Sequence, residues 1–216
     1  MSFAFAFANN LGEKVLESYD NPYDAYQNRN NKNELCLISE NKVINILDTK
    51  IISIKWAVSC SKHVLHIFEE QYPDDKRPRK AIEAVSNWIK DPSAKNRWAC
   101  IDASNTARVS FHGVSPNNTY YVAHAASKIA YAAYYCAASK TAYAAYYYCK
   151  TTVYVAANAS PNKLLEIKWQ RKKLNQIVYE EILVLLVKSQ YHRIDNKLVR
   201  KFPKELLEHI GSFITG

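Results

Sequence analysis

The chain has 216 residues, 48% of them hydrophobic, which suits one large domain or one domain with appendages and supplies a core without covalent staples. Only four glycines occur, which excludes a glycine-rich phosphate loop or dinucleotide fingerprint and favours helices over a turn-rich all-β fold. The net charge of +9 admits an acidic protein or nucleic acid as partner, and five cysteines, an odd number without a Cys-x-x-Cys pair, read as reduced thiols of an intracellular, cytoplasmic protein.

Residues 1–38 read as an N-terminal extension, partly irregular. Its start, MSFAFAFANN, is short and lacks a basic region, so it is not read as a signal peptide. NLGEKVLESY reads as a short helix, and SYDNPYDAYQNRNNKNE as polar, turn-prone chain. A helical domain is expected over 39–186. Ser39 is a candidate cap for a helix in ENKVINILD, and a second helix is expected from about Lys50 to Tyr72. There Ile54, Ala57, Val58, Ser61, Leu65 and Phe68 recur at three- and four-residue spacing, and Pro73 stops the run. DDKRPRKAIEAVSNWIK opens the next helix, with Asp74 or Asp75 near its start and Pro78 in the first turn, where a missing N–H costs nothing. Ala81, Ile82, Val85, Trp88 and Ile89 form its buried stripe, and Trp98, Ile101 and Ala107 mark a weaker helix over 94–110.

A Tyr/Ala run follows the loop HGVSPNN and carries ten tyrosines and thirteen alanines between residues 118 and 157. The unit Ser-Lys-x-Ala-Tyr-Ala-Ala-Tyr-Tyr occurs at Ser127 and again at Ser139. A twelve-residue repeat advances by about 120° around a continuous helix, so two helices broken near Ala138 to Lys140 let both tyrosine stripes face one core. Alanine permits close helix approach and tyrosine fills the space beside it, so the run reads as a core helical hairpin. After Pro161, NKLLEIKWQRKKLNQIVYEEILVLL reads as a basic amphipathic helix, and residues 187–216 as a C-terminal helical extension. No apolar run reaches membrane-spanning length, so no membrane partner is expected. The fold class is therefore all-α, a single helical-bundle domain with extensions at both ends.

Residues 56–90 carry Trp56, Cys60, His63, Phe68 and Glu69, then Pro73, Asp74, Asp75, Arg77, Pro78, Arg79, Lys80, Ala81, Glu83 and Trp88. This segment, with the alanine-rich helices and the later Trp169–Gln170, resembles the immunity-protein-five-like family of bacterial polymorphic toxin systems over roughly residues 40–185. The resemblance implies an all-α domain that binds and neutralises a toxin or another effector, without catalytic residues or cofactors. The chain departs from that pattern in its tyrosine content and its extensions.

Asp74, Asp75, Arg77, Arg79 and Lys80 form the densest charged constellation and the candidate binding surface. Their structural reading is capping by an aspartate, pairing of Arg79 with Glu83 one turn on, and an arginine pinning the preceding loop. Their functional reading is an arginine gripping a carboxylate or phosphate. Lys168, Arg171, Lys172 and Lys173 form a basic patch, either a solvated helix face or a contact for nucleic-acid backbone. The alternative function is accordingly that of a basic structural or nucleic-acid-associated protein, such as a viral or chromatin-like packaging component. Cys60, His63 and His66 have ligand spacing on one helix but no second cluster, so no metal is expected. Cysteine–histidine pairs such as Cys60 or Cys100 with His63 or His112 arise by chance in such a chain, and no enzyme is expected.

Overall fold

A computed structural model of the protein describes residues 3–8, 15–19, 21–28, 34–39, 42–110, 117–138 and 142–188. The chain falls into two compact units, one of Lys50–Arg171 and one of Met1–Thr49 with Lys172–Gly216.

The first unit is the expected all-α bundle. It holds α2 (Thr49–Gln71), α3 (Arg77–Lys90), α4 (Ala94–Val109), α5 (Asn118–Ala138), α6 (Ala142–Ala159) and the start of α7 (Lys163–Lys188); α1 (Pro22–Asn28) belongs to the other unit. Local chemistry sets these ends. Pro78 sits in the first turn of α3, where no intrahelical donor is needed. Ser93 caps α4 by accepting from the Asn96 backbone N–H at 3.4 Å. Asn117 accepts from the Tyr120 N–H at 2.9 Å ahead of α5, and Asn162 from the Leu165 N–H at 3.1 Å ahead of α7.

Ile52, Trp56, Val64 and Phe68 of α2 are buried, as are Ala81, Ile82, Val85 and Trp88 of α3. The Tyr/Ala run divides between α5 and α6, so the expected break falls where the repeat demanded it. Helix α5 packs on α3, α4 and α6. Most of its buried residues are small, Ala123, Ala125, Ala126, Ala130, Ala132 and Ala133, with Val122 and Ile129 buried among them. Ser104 and Ser127 exchange hydrogen bonds, each hydroxyl donating to the other's carbonyl, at 2.9 and 3.0 Å. That reciprocity requires two backbones in close approach, which these small side chains permit. The tyrosines lie at the margin of the interface: Tyr131, Tyr134, Tyr135 and Tyr148 are half-buried and Tyr147 is exposed. The side chains of Tyr143 and Tyr146 lie outside the described residues. Trp88 is buried as expected and Trp56 is buried too, Trp169 is half-buried, and Trp98 is 52% exposed, so the Trp98 position of α4 does not face inward.

The second unit corrects the reading of the N-terminal extension. In place of a partly irregular segment it carries an antiparallel sheet of β1 (Phe3–Ala8), β2 (Val15–Tyr19), β3 (Glu34–Ser39) and β4 (Lys42–Ile46) in the order β2-β1-β3-β4. Phe5 pairs with Tyr19 and Leu37, and Leu37 with Asn45. Within the helices expected in NLGEKVLESY and ENKVINILD, Val15–Tyr19 and Lys42–Ile46 are strands instead. FAFAFA alternates with period two, and Val43, Ile44 and Ile46 are β-branched, both strand signals. In so short a run the same apolar positions also fit a helical stripe, and strand pairing decides between them. Helix α1 (Pro22–Asn28) contacts β1 and β2. Asn21 accepts from the Asp24 N–H at 3.0 Å and Pro22 opens the helix, so the turn-prone run becomes a capped turn of helix. Asn175 of α7 accepts from the Tyr23 N–H at 2.8 Å. The C-terminal helical extension expected over 187–216 lies outside the described residues from 189 onward.

Candidate protein-binding site

The charged constellation sits where α2 gives way to α3. Asp75 accepts from Arg77 three times: from Nε at 2.8 Å, Nη2 at 2.6 Å and the backbone N–H at 3.0 Å. The cap position itself is Lys76, whose side chain caps nothing, so Asp75 acts one residue upstream of the expected role. Arg79 donates through Nε and Nη2 to the two oxygens of Glu69, both at 2.6 Å. The expected pairing of Arg79 with Glu83 along α3 is therefore replaced by a two-pronged bond to α2. A planar guanidinium and a carboxylate meet edge to edge in this way, and the fork fixes both ends. Of the candidate surface, Asp74, Arg79 and Lys80 are exposed, while Asp75 and Arg77 are half-buried. A groove of about 410 Å³ adjoins it, lined by Lys62, Leu65, His66, Glu69, Arg79 and Glu83 along with Ile82.

The bond from Arg77 holds the Asp75 carboxyl below its ordinary range, and the bond from Arg79 does the same for Glu69. A depressed folded-state pKa means that the unfolded chain binds the proton more readily. These pairs therefore contribute their full stabilisation above the ordinary carboxyl range near pH 4 and lose it below that range, as pH falls through their depressed folded values. Partly exposed pairs of this kind contribute roughly 1 kcal/mol or less each. Urea unfolding at pH 7 and pH 3 is expected to show a smaller acid-induced loss in the Glu69→Gln, Asp75→Asn double variant than in the unaltered chain.

A second constellation joins α2 to the start of α7. Glu166 has a side chain only 2% exposed, and its Oε2 lies 2.7 Å from His63 Nδ1. Gln170 Nε2 donates to Glu166 Oε1 at 3.1 Å and to the Val153 carbonyl at 3.2 Å. The indole N–H of Trp56 donates to the Gln170 carbonyl at 2.8 Å. The His63 ring stacks on Trp169 at 3.7 Å between centroids and 6° between planes. Polarity is inverted here: Glu166 and Gln170 face inward, while Leu164, Leu165 and Ile167 are exposed. A buried carboxylate is tolerated because each oxygen has a partner. Sequence reading missed this network. It weighs His63 as a metal ligand or the partner of a cysteine, and it weighs α7 through its basic residues rather than through Glu166 and Gln170. The signal was Glu166 and Gln170 one turn apart on the side that carries Trp169's neighbours.

Cys60, His63 and His66 do not converge. Cys60 is buried, His63 is committed to Glu166, and exposed His66 lies with its Nδ1 3.0 Å from the His63 carbonyl. Among the described residues no group of three or more His, Cys, Asp or Glu is placed to hold a metal ion. Cys60, Cys100 and Cys149 are buried, and burial pushes the Cys100 thiol up to about 12. That runs against thiolate chemistry. His112 lies outside the described residues. Of the basic patch, Lys168 and Arg171 are exposed in the bundle unit. Lys172 and Lys173 belong to the other unit, where Lys173 donates to Gln176 Oε1 at 3.1 Å. Among the described residues no helix is long and apolar enough to cross a membrane.

Compared with known families, residues 46–177 match the family described as Imm-5 like putative immunity protein. No curated protein and no solved structure matches the chain. The matched span begins inside β4, takes in α2 to α6 and ends within α7, so both constellations fall inside it.

Proposed function

The chain belongs to the Imm-5 like immunity-protein family, and from that premise we propose that it is a non-enzymatic protein-binding module that neutralises a toxin or another effector polypeptide by binding it. The observation that carries this reading is the family match across the whole helical bundle. In this reading Asp74, Asp75, Arg77, Arg79 and Lys80 form a surface beside the groove between α2 and α3. The two arginine–carboxylate forks hold that surface in one shape before a partner arrives, which lowers the ordering cost of binding. Exposed Asp74 and Lys80 at its rim serve orientation and approach rate more than affinity.

The test is co-expression with the toxin-like polypeptides encoded beside this chain's own gene. One of them is expected to arrest growth alone, to be harmless with this chain present, and to elute with it as a defined complex in size-exclusion chromatography. Arrest that persists despite full expression of this chain, with no complex formed, would rule the reading out.

A further inference from the structure

Residues 103–165 contain no aspartate or glutamate, against Arg108, Lys128, Lys140, Lys150 and Lys163. That acid-free stretch covers the end of α4 and all of α5 and α6, and it coincides with a connected set of aromatic rings at the surface. Trp98 meets Tyr134 at 5.5 Å, Tyr134 meets Tyr135 at 5.3 Å, and Tyr135 meets Tyr131 at 4.7 Å. Tyr148 of α6 meets Tyr131 at 4.9 Å and Tyr147 at 5.6 Å. Trp98 is 52% and Tyr147 56% exposed. Two cations complete the patch. The Arg97 guanidinium lies 5.3 Å from the Trp98 ring centre and 5.8 Å from that of Tyr134, and Lys128 Nζ lies 5.7 Å from that of Tyr148. Arg97 Nε is itself buried and finds no hydrogen-bond acceptor among the described residues.

We propose that this face of α4, α5 and α6 is a docking surface for an acidic protein, with Trp98 and Tyr147 as its anchors and Arg97 and Lys128 as the groups that take the partner's carboxylates. Tyrosine, tryptophan and arginine are the residues that concentrate binding energy at protein interfaces, because each offers a large rigid contact area and a polar end. Charge complementarity selects the occupant. A partner brought against the α5 and α6 part of this face meets cations without a carboxylate, while on α4 the exposed Asp102 lies one turn beyond Trp98, so an acidic surface is attracted chiefly along α5 and α6. The rings also argue against a base-stacking platform. Tyr131 with Tyr148 and Tyr134 with Tyr135 stand at 86° and 89°, and the cations already lie over Trp98, Tyr134 and Tyr148. Stacked bases need open, accessible ring faces. The Tyr131 hydroxyl, 3.0 Å from that of Tyr135, is pushed up to about 12, first by that hydrogen bond, so it adds no anion to the patch at neutral pH.

The proposal deepens the protein-binding reading and rests on it for the partner's biological identity, but not for its chemistry. The test titrates the full chain against fluorescein-labelled glutamate–tyrosine copolymer and, separately, against labelled twenty-residue oligothymidylate. The copolymer is expected to bind more tightly than the oligonucleotide. Its affinity should fall about tenfold or more in Trp98→Ala, Tyr147→Ala and in Arg97→Ala, as on loss of an interface anchor. Lys90→Ala, an exposed charge on α3, should leave it unchanged. Thermal melting identifies any variant that fails to fold, and the exposed positions of Trp98 and Tyr147 make them the decisive pair. Copolymer binding that is absent, or retained at full strength by the double variant, overturns the proposal. Tighter oligonucleotide binding lost in the same variants overturns it in favour of nucleic acid. The co-expression assay separates the two readings. Neutralisation by the unaltered chain and equally by the double variant removes this surface and leaves the toxin reading. Failure of the unaltered chain to neutralise, with the copolymer results as expected, removes the toxin reading and leaves the surface.

Discussion

Trp88→Ala is expected to lower the free energy of unfolding by about 3–5 kcal/mol, the range for removing a large aromatic from a packed core. Trp88 is 3% exposed and lies on the α3 stripe with Ala81, Ile82 and Val85, all buried. Helix α3 packs on α4 and α5, whose buried residues are mostly small beside Val122 and Ile129, so the space left by the indole is refilled only in part. The cost is therefore the lost transfer free energy plus that of the remaining cavity. Trp88→Phe keeps an aromatic ring and should cost less than half as much. Urea unfolding measures both, and a loss below about 1 kcal/mol for the alanine variant would place the side chain outside the core.

Glu166→Ala is expected to cost about 2–4 kcal/mol. The change removes the partner of His63 and leaves Gln170 Nε2 with the Val153 carbonyl alone. An unpaired buried polar group costs about 1–3 kcal/mol, and the missing side chain adds a small cavity. Glu166→Gln preserves the shape and one acceptor oxygen, so its loss should be smaller. Equal losses for alanine and glutamine would show that the carboxylate, not the filled space, holds α2 to α7. Either variant should also weaken the stack of His63 on Trp169, which near-ultraviolet circular dichroism reports.

The helical bundle was legible because its signals are local and repeated. Long stripes with three- and four-residue spacing, Pro73 and Pro78 each act within a turn of where they stand. The break in the Tyr/Ala run followed from the phase of its repeat. The sheet was not legible as it was read. Ile44 and Ile46 suit a strand or a short helix equally, and the pairing that decides lies tens of residues away, as with Leu37 opposite Phe5. FAFAFA did carry a strand period, and glycine scarcity in the chain as a whole outweighed it. In the candidate site, the residues of the charged turn were legible and their partners were not. Arg79 had a suitable acid at Glu83 on its own helix, while the acid it grips, Glu69, depends on how α2 and α3 meet. The inward turn of Glu166 and Gln170 inverts the pattern by which buried faces are recognised.

The interface of α5 with its neighbours has a consequence for how the chain acquires its fold. Alanine has no rotamers to lose, so burying it costs no side-chain entropy. The helices that meet there follow one another directly in sequence, α4 to α5 to α6, and the α5–α6 connection spans only residues 139–141. Contacts that close short loops form quickly, whereas contacts between distant segments must wait for long closures. The alanine hairpin is thus placed to assemble early, ahead of the bonds from α2 to α7 that span more than a hundred residues, such as Trp56 with Gln170.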